Sequence, residues 1–258
     1  VTGASLNPAP VRPVTIEPAR VTGRQLGLGL ALSALLAIVL GGATTLAARS
    51  AAPQWAHTEG LTVLIVAEVY LAIIVGLVVG VRGLGRDAGT PAVGQLLALR
   101  RPAGRQLGLA FLVLVLAVAA GIAVSLAVSP LTGGVAATLK EIVRDGSDEA
   151  HLPAATVLTW ALIVVRLVAL TGTAEELLFR GALYSWLRRR YVVRVTIAIT
   201  AALFALEHAY YPILLPLVFS FGVGAGWVRH RTHSILPTIA MHVCLDLSLF
   251  IAAIALSS

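Results

Sequence analysis

Leu107 to Ser129 read LGLAFLVLVLAVAAGIAVSLAVS, a run with no charged residue. A helix needs about 20 such residues to cross the hydrocarbon core of a bilayer. Lipid offers no hydrogen bonds to a backbone, so only helices and closed barrels cross it. The run is continuously apolar rather than alternating, which excludes a barrel strand. Similar runs occur at about 26–48, 61–81, 154–187, 192–209, 213–228 and 235–256. The fold class expected is all-α, a polytopic transmembrane bundle of seven helices. It becomes eight if the long 154–187 stretch breaks near Thr171, Gly172 and Thr173.

Composition agrees. Of 258 residues 58% are hydrophobic and 12% are charged, whereas a soluble domain carries about a quarter charged residues. Residues 1–25, with Pro8, Pro10, Pro13 and Pro18, read as a flexible tail. The single cysteine, Cys244, excludes a disulfide framework and a Cys-rich zinc site. The net charge of +7 does not point to nucleic acid, because the basic residues lie between apolar spans and not on one basic face.

Those residues set an orientation. The 82–105 connection holds Arg82, Arg86, Arg100, Arg101 and Arg105 against Asp87. The next basic connections hold Arg188, Arg189, Arg190 and Arg194, then Arg229 and Arg231. The intervening 130–153 loop has Lys140 and Arg144 against Glu141, Asp145, Asp148 and Glu149. With seven crossings every basic connection falls on one side, which the positive-inside rule makes the cytoplasm. The N-terminus is then cytoplasmic and the C-terminus external, in a multi-pass cell-membrane protein. Trp186, Tyr191 and Trp227 fall near the inner interface, and Trp55, Tyr210 and Tyr211 near the outer. The arginine runs also suit lipid phosphates. One short repeat, Gly-Arg-Gln-Leu-Gly-Leu at 23–28 and 104–109, opens two spans from the same side.

Charged residues inside the spans carry the functional argument. One at the centre of a membrane helix costs about 2.5–3.5 kcal/mol, so it needs a partner, a water-filled cavity or a function. Glu175, Glu176 and Arg180 lie in one apolar stretch, Glu207 and His208 in the next, and His242 and Asp246 in the last. His242 and Asp246 share a helix face, as do Glu176 and Arg180, which are placed to pair. Glu175 points about 100° away from that pair. Counted from the basic boundary at about 1.5 Å per residue, Glu175, His208 and Asp246 all lie about 20 Å deep. Glu68 in the second span falls near the same layer, where lining a cavity, packing and pairing with Arg166 are all open. Arg166 itself is expected to reach the outer head groups. Cys244 falls on the helix face opposite His242, which argues against a thiol nucleophile.

Three motifs occur in order on successive apolar stretches: Glu175-Glu176-Leu-Leu-Phe-Arg180, Phe204-Ala-Leu-Glu-His208 and His242-Val-Cys-Leu-Asp246. They resemble Glu-Glu-x-x-x-Arg, Phe-x-x-x-His and His-x-x-x-Asn/Asp of the CPBP (CAAX protease and bacteriocin-processing, or Abi) family of intramembrane proteases. That family includes the type II CAAX prenyl endopeptidases. The resemblance covers about residues 155–250, making 154–258 a catalytic transmembrane core after an N-terminal set of transmembrane helices at 26–153. It implies an endopeptidase acting on a membrane-associated peptide or protein in the lipid bilayer. Glu175 and His208 would activate water, while His242 and Asp246 would stabilise the oxyanion. Glu176 and Arg180 would hold the helix pair in register. A carboxylate in a low-dielectric cavity is a stronger base, and donors in a dry site stabilise developing charge far better than in water. Position 246 is Asp where better-understood members have Asn, and an ionised Asp cannot donate to an oxyanion.

The leading reading requires no cofactor. A metal-assisted hydrolase is the alternative within enzymes, with Glu175, His208 and His242 holding a divalent ion such as zinc, although no His-Glu-x-x-His is present. Outside enzymes, a transporter relaying protons through its carboxylates and a peptide-binding immunity or scaffold protein remain as readings.

Overall fold

The computed structural model describes residues 20–51, 59–83, 92–131, 165–210 and 212–257. The Pro-rich tail through residue 19, most of the 130–153 loop, the start of the fourth apolar stretch, Trp55 and Tyr211 lie outside the described residues.

Among the described residues the regular structure is entirely helical. Helix α1 spans Gly23–Ala51, α2 Glu59–Gly83, the single turn α3 Val93–Leu96, and α4 Gly104–Val128. Helix α5 covers 165–187, α6 Val193–Glu207, α7 Leu215–Thr232 and α8 Leu236–Ser257. Among the described residues four helical stretches are long and apolar enough to cross a membrane: Gly23–Ala51, Leu61–Gly83, Gly104–Val128 and Pro212–Thr232. Helix α8 adds the apolar stretch Leu236–Ala252. The chain is a polytopic helical bundle, as its apolar runs predict. On α4, Phe111, Leu112 and Leu116 are exposed and present the apolar face that lipid covers.

Both copies of the six-residue repeat start a helix. In the first, the Thr22 backbone N–H donates to Gln25 Oε1 at 2.9 Å, and the Gln25 N–H donates to Thr22 Oγ1 at 3.2 Å. In the second, the Ala103 N–H donates to Gln106 Oε1 at 2.9 Å. The glutamine thus folds back to satisfy donors that a helix start leaves bare.

Helices α1 and α2 run antiparallel. A Cβ on Gly80 would stand 2.3 Å from Gly29 Cα, so the two backbones meet at a distance that only glycine permits. Apolar side chains gain little by leaving lipid, and membrane helices therefore associate through small residues and close van der Waals contact.

Helix α5 occupies the middle, touching α2, α6, α7 and α8. Its register changes along the way: π-helical over Arg166–Thr171, α-helical over Gly172–Glu176, π-helical again over Leu177–Leu183, then α-helical over Tyr184–Leu187. The break considered near Thr171–Thr173 does not occur, and the helix passes through. Gly172 serves packing instead, because a Cβ there would lie 3.2 Å from the Cβ of His242 on α8. Two π-helical stretches in one helix are unusual, and such turns gather at functional sites. Two apolar clusters hold α5 in place. Leu177 and Ala182 pack with Leu77, Leu97 and Ile235, while Phe179 packs with Leu114, Phe204, Phe221 and Met241.

Candidate functional site

Glu175 and Glu176 sit between the two π-helical stretches of α5, and both are buried, as are Arg180 and His242. Arg180 Nη1 donates to Glu176 Oε1 at 2.8 Å, one helical turn away, and both side chains are fully buried. The guanidinium lies 4.5 Å from the centre of the Phe204 ring, so its charge is shared between a carboxylate and an aromatic face. Its Nη2 donates to Gly222 O at 3.3 Å, which ties α5 to α7.

The same Glu176 oxygen lies 3.2 Å from His242 Nδ1. A carboxylate paired with Arg180 can only accept, so Nδ1 carries the proton. This fixes the ring and turns Nε2 toward two further carboxylates, Glu175 Oε2 at 3.5 Å and Asp246 Oδ1 at 3.6 Å. Both contacts are longer than a hydrogen bond. Glu175 Oε2 and Asp246 Oδ2 are buried with no hydrogen-bond partner among the described residues. The Phe204 and Phe221 rings, 5.6 and 5.1 Å away, wall the imidazole on two sides.

His208 terminates α6. Its Nδ1 donates to Phe204 O at 2.9 Å, since a carbonyl can only accept, and in the neutral ring Nε2 is then a free acceptor. The His208 ring packs on Phe204 at 4.9 Å and on Tyr210 at 6.1 Å. Phe204 therefore stands between the two histidines. No hydrogen bond joins His208 to Glu175 among the described residues.

The residues singled out in the sequence accordingly divide. Glu175, Glu176, Arg180, His242 and Asp246 meet directly, whereas His208 joins across Phe204. Glu207, within the second motif, is exposed. Glu68 accepts a 2.6 Å hydrogen bond from Thr44 of α1. Cys244 is exposed, on the face away from His242. Two participants escaped the sequence reading. Tyr70 of α2 donates its hydroxyl to Glu175 Oε1 at 3.2 Å, and its signal was a lone tyrosine among aliphatic residues inside an apolar span. Arg166, expected at the head groups, lies within electrostatic reach of Asp246. For the metal-assisted alternative, no group of three or more His, Cys, Asp or Glu side chains among the described residues is arranged to hold a metal ion.

Residues 157–248 match a family model described as type II CAAX prenyl endopeptidase Rce1-like. The C-terminal segment is similar to that family. The match covers the segment that carries all three motifs, and it is the family that those motifs resemble. Neither the curated proteins nor the solved structures gave a match. The Rce1-like match supports a CAAX-type membrane endopeptidase in general terms, with a membrane-associated protein as substrate. In the matched segment the buried charged residues of this site lie on α5 and α8, and among the described residues Tyr70 of α2 joins them from outside it.

Proposed function

We propose that the chain is an intramembrane endopeptidase whose general base is Glu175. The observation that carries this reading is the approach of Glu175 Oε2 to His242 Nε2 at 3.5 Å, both residues buried, with Glu175 Oε2 lacking a hydrogen-bond partner among the described residues. A base and a polar hydrogen-bonding group that close to each other can act on one reacting centre, the carboxylate on the water and the imidazole on the carbonyl oxygen.

Glu175 takes a proton from a water that His208 Nε2 helps to orient. The resulting hydroxide adds to the peptide carbonyl carbon. His242 receives the oxyanion through Nε2–H. Because Nδ1–H is committed to Glu176, Nε2 donates only when the ring holds both protons, so this role makes His242 an imidazolium with Glu176 and Asp246 as counter-charges. As the tetrahedral intermediate collapses, the proton on Glu175 passes to the leaving amine and the carboxylate is restored. Asp246 acts here as a charge beside His242 and not as an oxyanion donor. Tyr70 aims the Glu175 carboxylate, and Arg180 keeps Glu176 ionised. The substrate is a peptide segment held at the membrane, and the N-terminus of the enzyme is cytoplasmic.

The test is a comparison of protein N-termini in membranes from cells with the wild-type protein, with the Glu175→Gln variant and without either. New N-termini present only with wild type are the expected result. Equal cleavage by a well-folded Glu175→Gln protein sinks the reading.

A further inference from the structure

A second polar cavity lies away from the Glu175 site, where α5 and α7 end and α8 begins. It measures about 170 Å³ and its wall includes Arg20, Tyr184, Arg188, Arg229, His230 and His233. Ser185 completes the lining and donates its hydroxyl outward to Leu96 O at 3.1 Å. Among the described residues the lining contains no acidic side chain.

Part of this basic group has a structural task. Arg20 Nη1 donates to Arg188 O at 2.7 Å, and Arg188 Nη1 donates to Tyr191 O. Both cap carbonyls at the end of α5, where cations are favourable. Arg229 is different. It is buried, 7% exposed, and its Nε donates to Arg180 O at 3.2 Å. Its guanidinium lies 5.2 Å from the centre of the Tyr184 ring, and no ion pair with a carboxylate is found for it among the described residues. Tyr184 is 4% exposed and its buried hydroxyl has no hydrogen-bond partner among the described residues. A buried donor left unmatched costs about 1–3 kcal/mol, and a buried guanidinium without a counter-charge costs more. At the mouth of the cavity, His233 has its imidazole held below the ordinary histidine range by partial burial and by the charges of Arg229 and Arg100.

The location narrows the ligand. Arg190 lies over Trp186 at 5.2 Å and Arg231 over Trp227 at 5.5 Å, on the same helix ends. Arg and Trp together mark the head-group level of a membrane helix, and basic pockets between helices at that level bind anionic lipid head groups. Guanidinium forks match phosphate oxygens geometrically.

We propose that this cavity is a phosphate-group site, in which a phosphate ester is held by Arg229 and Arg188 with the Tyr184 hydroxyl as a further donor and His233 at the mouth. The phosphate belongs to a lipid head group or to a soluble phosphate, and the head-group level favours the lipid. This site stands independently of the protease reading.

The full-length protein, purified in a phosphate-free maltoside detergent, is titrated with dioctanoyl-phosphatidic acid, with inorganic phosphate, and with dioctanoylglycerol, which has the same chains and no phosphate. Thermal melting and native mass spectrometry read binding. Phosphatidic acid is expected to raise the melting temperature and stay bound one to one, while dioctanoylglycerol does neither. Competition by inorganic phosphate at similar concentrations assigns the site to a soluble phosphate, and failure to compete assigns it to the lipid. Arg229→Gln is expected to abolish the shift, whereas Arg231→Gln, outside the cavity, keeps it. His233→Asp provides the variant least disruptive to folding, because His233 is exposed and adopts φ 53°, which Asp tolerates. It is expected to weaken phosphate binding about tenfold through like-charge repulsion, comparable to other single charge changes. Absence of a shift with both phosphate ligands, or His233→Asp binding as wild type does, overturns the proposal.

Discussion

Glu68 and Glu175 are both carboxylates inside apolar helices, and by residue count they lie at nearly the same depth. Their surroundings differ. Glu68, between α1 and α2, accepts a hydrogen bond from the Thr44 hydroxyl, in a part of the molecule joined by the close glycine contact of Gly29 with Gly80. Glu175 accepts one from Tyr70 and leaves its other oxygen facing His242. Glu68 Oε2 is likewise buried without a hydrogen-bond partner among the described residues, so what sets Glu175 apart is the imidazole that its free oxygen faces. A carboxylate oxygen without a hydrogen bond, opposite an imidazole clamped by a second carboxylate, is arranged for proton transfer. Depth in the membrane therefore does not distinguish a structural acid from a reactive one, but the partners do.

The sharpest way to break this contrast is a pair of isosteric changes. Glu175→Gln is expected to lower proteolysis by about 10²–10⁴-fold, the usual worth of a general base, with melting little changed. His242→Gln keeps a polar group but loses the clamped ring and is expected to lower the turnover rate by about 10²–10³-fold, as for removal of one oxyanion donor. A quantitative cleavage assay in proteoliposomes measures both, and an undiminished rate in either variant removes that residue from the chemistry.

Arg180→Ala addresses stability. It leaves Glu176 buried without its counter-charge, and breaking such a pair costs about 3–5 kcal/mol. The double variant Arg180→Ala with Glu176→Ala is expected to recover part of that loss in a thermal melt, since no orphaned charge remains. If the two losses simply add, Arg180 and Glu176 do not act as a pair.

Smaller effects sharpen the picture. Tyr70→Phe removes one hydrogen bond to a charged group, worth about 1.5–3 kcal/mol. The expected result is a rate about tenfold lower with KM unchanged. At the far end, Glu68→Gln keeps a hydrogen-bonding group beside Thr44 and is expected to leave the rate within about twofold, with stability altered by about 0.6 kcal/mol, the mean for interhelical hydrogen bonds in membranes. A large loss of rate on this substitution would join the two regions that the geometry keeps apart.

Much of the fold was legible in the chain itself. Continuous apolar runs identify spanning helices because a bilayer leaves the backbone no other solution, and their limits in the sequence lie close to those of α1, α2, α4, α6, α7 and α8. The i, i+4 spacing of Glu176 with Arg180 and of His242 with Asp246 was readable because a helix alone fixes it. The three motifs marked the Rce1-like segment for the same local reason. Other features depend on contacts between distant stretches. Gly172 looked like a point of breakage and is a point of contact, because its value lies in the His242 side chain beside it. Tyr70 had no motif to announce it, and Glu68, at nearly the same depth as Glu175, could be read as lining a cavity, as packing or as pairing with Arg166. The cavity around Arg229 forms where the ends of separate helices meet. Hydropathy and helical spacing are properties of one segment, so the sequence determined them. Which acid faces an imidazole depends on how segments rotate and lean against one another, and only the tertiary packing decided that.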